Sequence, residues 1–191
     1  MQLNAARLIA ISVMAASLGA CGFQLRGASP VSSALEPLHL DCQAPVPTAL
    51  CVAVRNQLEL GGVLLASDEE AKYHLKIRNF EQDRRASAIT VQAAAAEYTL
   101  RHSVNLEVIS GDGIPIIAST RLSTSESYRY DETNVLAKQR EEENLQQQLS
   151  DRLAQQIIFR LVPLTQERLQ EIRSSHTKAI TPANDQPPVK P

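Results

Sequence analysis

Glu97-Tyr98-Thr99-Leu100-Arg101-His102-Ser103-Val104-Asn105-Leu106-Glu107-Val108-Ile109-Ser110-Gly111-Asp112-Gly113-Ile114 is the stretch that decides the fold. Tyr98, Leu100, His102, Val104, Leu106 and Val108 recur with a period of two. That spacing puts them on one face of a half-buried strand. Gly111-Asp112-Gly113 then supplies a tight hairpin, because glycine reaches the turn conformations other residues avoid. The same period appears on both sides. Upstream, Tyr73, Leu75 and Ile77 face one way, and Lys72, His74, Lys76 and Arg78 the other. Downstream, residues 114–130 read as a third long strand with Ile116, Ala118, Thr120 and Leu122 on one face. Three consecutive long strands predict an antiparallel meander.

The later half of that third strand, Ser123-Thr124-Ser125-Glu126-Ser127, is polar on both faces. It is expected to project beyond the sheet or meet a polar partner. Short strands are expected at Phe23 to Arg26 and Pro37 to Asp41. Between them and the meander, Leu50, Val54 and Leu58 follow helical spacing, with Thr48 as N-cap and Gly61-Gly62 as the stop. A long helix is expected from Thr133 to Val162, ended by Pro163. Its apolar stripe (Leu145, Leu149, Leu153, Ile157, Leu161) steps by four residues and so winds by about 40° per step. A winding stripe suits a helix laid across a twisted sheet. A short amphipathic segment, Leu164 to Ile172, follows it. The fold class is therefore α+β: a two-layer sandwich with two amphipathic helices on one face of a mostly antiparallel four- to five-stranded sheet. The other face, rich in charges and hydroxyls, meets solvent or a wet interface. Residues 21–173 form the domain, and 174–191 read as a polar, Pro-rich disordered tail.

The N-terminus carries its own signal. Arg7 precedes an apolar run from Leu8 to Leu18, which leads into Leu18-Gly19-Ala20-Cys21. A positive start, a short apolar core and small residues before a cut site define a secretory signal peptide over residues 1–20. The run is too short to span a bilayer, which takes roughly 20 apolar residues. A cysteine at the cut makes it a lipoprotein signal, with Cys21 as the acylated first residue. Gly22, where an aspartate would favour inner-membrane retention, points to the outer membrane. Cys42 and Cys51 remain as an even pair in an oxidising compartment, which favours a disulfide between them. Two buried free thiols are the alternative.

Composition excludes several functions. Without residues 1–20 the chain has 18 Lys+Arg against 21 Asp+Glu and no dense basic stripe, so nucleic acid is not a partner. No nucleophile elbow, zinc-protease, P-loop or dinucleotide motif occurs, and His39, His74, His102 and His176 stand singly. No catalytic residue, metal ligand or cofactor is assigned. His102, on the apolar face of its strand, reads as a hydrogen-bonded core histidine. Glu141-Glu142-Glu143 reads as a solvated helix face.

Several segments, taken in order, resemble the LptE family of lipopolysaccharide-assembly lipoproteins. They are Cys21-Gly22-Phe23-Gln24-Leu25-Arg26-Gly27; Val54 to Val63; Ala96-Glu97-Tyr98 at the start of a long strand; Leu136-Ala137-Lys138 opening a long helix; and Arg160-Leu161-Val162-Pro163 at its end. The likeness spans about residues 18 to 173. It implies an outer-membrane lipoprotein that plugs the LptD β-barrel from the periplasmic side, helps assemble it, and binds lipopolysaccharide on its way to the surface. It also implies that Lys138 contacts the ligand's anionic groups. The family's second basic position falls in the turn between the first two long strands. Here the tip, Ile89 to Ala94, has no basic residue, and the nearest positives are Arg84 and Arg85. The competing expectation is a lipoprotein auxiliary to an envelope lipid transporter driven by an ABC ATPase.

Overall fold

The computed structural model describes residues 31–89, 95–130 and 134–180. The signal peptide, Cys21, the expected strand at Phe23 to Arg26 and the hairpin tip beyond Ile89 lie outside the described residues. After a 3-10 turn (Ser33–Leu35) come β1 (Leu38–Cys42), α1 (Thr48–Leu60), β2 (Tyr73–Ile89), β3 (Ala95–Ser110) and β4 (Pro115–Arg129), then α2 (Val135–Leu161) and α3 (Gln166–Ile180). One four-stranded sheet runs β1-β2-β3-β4. The β2-β3-β4 meander is antiparallel, and β1 pairs with β2 in parallel. A parallel pair needs a long crossover, and α1 supplies it.

Leu38, Tyr73, Leu75, Ile77, Val104, Leu106 and Val108 from the sheet meet Leu50, Val54 and Leu58 of α1 and Leu153, Ile157 and Leu161 of α2 in one core. A second, smaller cluster joins Leu100 and Tyr128 to Leu149 further along the hairpin. The α+β sandwich is the expected one. α1 ends in a Schellman motif: Val63 N–H donates to the Leu58 carbonyl and Gly62 N–H to the Glu59 carbonyl, both at 2.9 Å. Gly62 holds φ +77°, the left-handed conformation that this cap requires.

Four local expectations change. Pro47, not Thr48, stands at the N-cap of α1. Its extended backbone lets its carbonyl accept from Leu50 and Cys51, and Thr48 begins the helix. The polar half of β4 stays within the sheet, paired residue for residue with β3 from Ser123↔Ser103 to Ser127↔Thr99. Of the two expectations for it, the polar partner holds: the inward Glu126 side chain pairs with Arg152 of α2, and the Ser123 backbone carbonyl accepts from Gln156. His102 is buried on the apolar face as expected, 2% exposed with Phe80 edge-on at 5.1 Å, yet neither ring nitrogen has a hydrogen-bond partner. Finally, α3 runs to Ile180, so residues 174–180 are helical rather than part of the tail. Leu164, Leu169 and Ile172 dock this segment on the core, and Arg173 reaches Asp112 at 2.6 Å.

Candidate functional site

The site is set by a kink in β2. Up to Ile77 the odd residues face the helices. Asn79 then takes φ +52°, and the register with β3 slips between Arg78 and Glu81. An extra residue in a strand reverses which side chains face the core. Beyond the bulge, Gln82, Arg84 and Ala86 lie opposite His102, Leu100 and Tyr98, and so share the helix-facing side. Arg84 therefore turns toward α2, and Arg85 to the opposite face.

Three of the chain's four tyrosines gather around Arg84. Its guanidinium carbon sits 3.7 Å over the Tyr98 ring and 5.8 Å from the centre of Tyr130. Tyr98 stacks on Tyr128 at 6.0 Å and meets Tyr130 edge-on at 5.3 Å. Arg84 Nε donates to the Tyr128 hydroxyl at 3.1 Å and lies 3.4 Å from Glu142 Oε2. The Tyr128 hydroxyl donates in turn to Glu142 Oε2 at 2.5 Å. Burial, followed by the bond to Glu142, pushes the Tyr128 phenol up to about 12. Burial opposes the charge on Arg84, but Tyr128 and Glu142 outweigh it and raise its pKa. The cluster fastens the far half of the hairpin to the first turns of α2.

Against it lies a cavity of about 420 Å³, lined by Arg84, Tyr130, Lys138, Glu142, Glu143 and Gln146 with Val135 and Gln139. The α2 residues follow the i, i+3, i+4 spacing of one helix face. Lys138 is half-buried, with its side chain 21% exposed, and its ammonium pairs with Glu141 at 2.7 Å. Lys138 and Arg84 are thus brought together. Arg85 is not: it pairs with Asp83 at 2.5 Å and lines a second cavity with Arg101 and Arg121. Glu142 is a working member of the site rather than a solvated residue. Tyr98, Tyr128 and Tyr130 carry no charge, and Glu142 looks like its neighbours in the Glu141-Glu142-Glu143 run; the signal for the site is the clustering of scarce tyrosines at one end of two paired strands. Cys42 and Cys51 are joined in a disulfide, tying the end of β1 to the first turn of α1.

Fold and cavity together define a class: a small two-layer α+β domain with a mixed polar cavity where a long hairpin meets a long helix. Residues 35–161 match the model of the LptE family, described as lipopolysaccharide-assembly. The LPS-assembly lipoprotein LptE of Photorhabdus laumondii is 28% identical over 80% of this chain and 83% of its own length. That of Yersinia enterocolitica is 31% identical over 74% of this chain and 68% of its own. A crystal structure of a minor lipoprotein from Acinetobacter baumannii superposes with a TM-score of 0.56 at 27% identity, covering 66% of this chain and 90% of that one. The chain belongs to the LptE family of lipopolysaccharide-assembly lipoproteins.

Proposed function

We propose that this lipoprotein is anchored in the outer membrane through Cys21, plugs an LptD-type β-barrel from the periplasmic side, and binds lipopolysaccharide at the cavity holding Lys138 and Arg84. The observation that carries the ligand assignment is the cavity itself. Two basic side chains from distant segments line one concave site: Lys138, which the family likeness picks out, and Arg84, one of the two positives nearest the family's second basic position. Arg85, on the other face, has no part in it. The plug assignment is supported by the sheet face turned away from the helices. It carries Lys76, Arg78, Glu81, Arg101 and Arg121, with Ser123, Ser125 and Ser127, and suits the polar lumen of a large barrel.

Two measurements test this. A tagged chain extracted from outer membranes in mild detergent is expected to bring down a large β-barrel. Recovery alone, or with an inner-membrane ABC transporter, refutes the partnership. Lys138→Asp in the lipid-free domain is expected to weaken lipopolysaccharide retention about tenfold while far-UV circular dichroism stays unchanged. Undiminished retention refutes the ligand site.

A further inference from the structure

The lining of the Lys138 cavity is not that of an anion trap. Its two cations, Arg84 and Lys138, are matched by two carboxylates, Glu142 and Glu143. Each cation also has a carboxylate partner already: Glu142 for Arg84, and Glu141 for Lys138. A phosphate or carboxylate only accepts hydrogen bonds. Placed here it would satisfy the two cations only by displacing their partners, and it would face Glu142 and Glu143 with like charge. The site therefore lacks the excess positive charge that an anion needs.

What the lining does offer is donors and acceptors interleaved. Arg84 and Lys138 donate, Glu142 and Glu143 accept, and the amides of Gln139 and Gln146 do both. Gln139 is oriented by Glu143 and Gln146 by Glu142, at 3.3 Å and 3.4 Å. A hydroxyl is the ligand group that also does both. Beside these groups stands the half-buried ring of Tyr130, an apolar surface with a polar tip. Alternating donors and acceptors next to an aromatic ring match a polyhydroxylated ring with one apolar face. The volume, about 420 Å³, lies within the usual range for small-ligand sites.

We infer that this cavity grips a sugar ring of its glycolipid by its hydroxyls, with Tyr130 against the ring, rather than a phosphate or carboxylate by its charge. The inference rests on the lipopolysaccharide-binding function proposed above and names the part of the ligand that is read.

The test titrates the folded lipid-free domain with three probes: intact lipopolysaccharide, its dephosphorylated lipid-free oligosaccharide, and inorganic phosphate. Binding is followed by calorimetry and by amide chemical shifts of residues 135–146. The oligosaccharide is expected to bind, to shift those amides, and to change in Kd by less than about twofold between low and high salt, since no net charge is screened. Tyr130→Ala is expected to weaken it at least tenfold. Gln139→Ala, at an exposed helix position where folding is secure, should weaken it severalfold. Lys138→Gln, which keeps a donor without the charge, is expected to stay within about threefold. The inference is overturned if phosphate competes with the oligosaccharide, if salt or Lys138→Gln costs tenfold, or if Tyr130→Ala and Gln139→Ala both bind normally. If intact lipopolysaccharide binds while the oligosaccharide does not, the sugar assignment alone falls. If intact lipopolysaccharide fails to bind, the proposed function falls with it.

Discussion

Tyr128→Phe removes one hydroxyl and leaves the ring in place, which isolates the clamp between hairpin and helix. In the native protein that hydroxyl accepts from Arg84 Nε and donates to Glu142 Oε2. A hydrogen bond to a charged group contributes about 1.5–3 kcal/mol. Arg84 and Glu142 already approach at 3.4 Å and can compensate by pairing directly. The net loss at pH 7 is therefore about 1–2 kcal/mol. The pH dependence gives the sharper readout. The phenol's pKa is raised from 10 to about 12 in the folded state. An acid with a raised folded pKa contributes stability that is complete below its unfolded pKa and is lost as the pH climbs through the folded one. The window is therefore pH 10 to 12, and the two-unit rise corresponds to roughly 2–3 kcal/mol. Urea unfolding of both proteins from pH 7 to 11.5, followed by circular dichroism, yields the difference in stability at each pH. Subtracting one curve from the other cancels the lysines and the remaining tyrosines. The advantage of Tyr128 is expected to hold up to about pH 10, then shrink and vanish by about pH 11.5. A difference that stays level across that window refutes the account of the clamp.

His102→Leu is expected to stabilise the protein by about 1 kcal/mol, because it removes two buried nitrogens without partners. Burial holds the His102 pKa below its ordinary value, so its contribution is intact above pH 6.5 and lost as the pH falls. The variant should therefore show a flatter decline in urea midpoint below that pH, and a parallel decline counts against the assignment. Thiol counting on denatured, unreduced protein is expected to find none from Cys42 and Cys51, and Cys42→Ala/Cys51→Ala should lower stability by about 2–3 kcal/mol in the same urea assay. Gly113→Ala, at φ +84° in the β3-β4 turn, is expected to cost about 1 kcal/mol although no atom lies near the added methyl. No change in thermal midpoint would show that the turn relaxes freely.

Where side-chain period alone decides an element, the sequence was enough. The alternation from Tyr98 to Val108 and the four-residue stripe of α2 are direct consequences of burying one face, and the strands and helix stand where those patterns put them. Pattern failed where a partner in space sets the outcome. Ser123 to Ser127 look unfit for a sheet because their polar side chains have no partners in the local sequence. Arg152, a helix away, provides one for Glu126, and Thr99 on the paired strand provides one for Ser127. Ser174 to Ile180 look like tail because they are polar, yet they continue a helix already docked by Leu169 and Ile172.

The candidate site was half legible for the same reason. Arg84 and Arg85 are neighbours of equal charge, and composition cannot choose between them. Extending the alternation of Tyr73, Leu75 and Ile77 would place Arg85 against the helix. The bulge at Asn79 inverts that choice. Asparagine takes the left-handed conformation more readily than most residues, but one Asn inside an alternating run does not by itself mark a register shift. The inversion has a chemical consequence. With Arg85 inward, the cavity would hold a guanidinium whose nearest acid in sequence, Asp83, comes with it. With Arg84 inward, the guanidinium lies on Tyr98 and is neutralised by Glu142 from α2. A cation held on an aromatic ring and matched by a carboxylate from another element becomes a fixed hydrogen-bond donor rather than a free charge. This one residue of slippage is what turns a pair of basic side chains, suggestive of an anion, into a cavity better suited to hydroxyls.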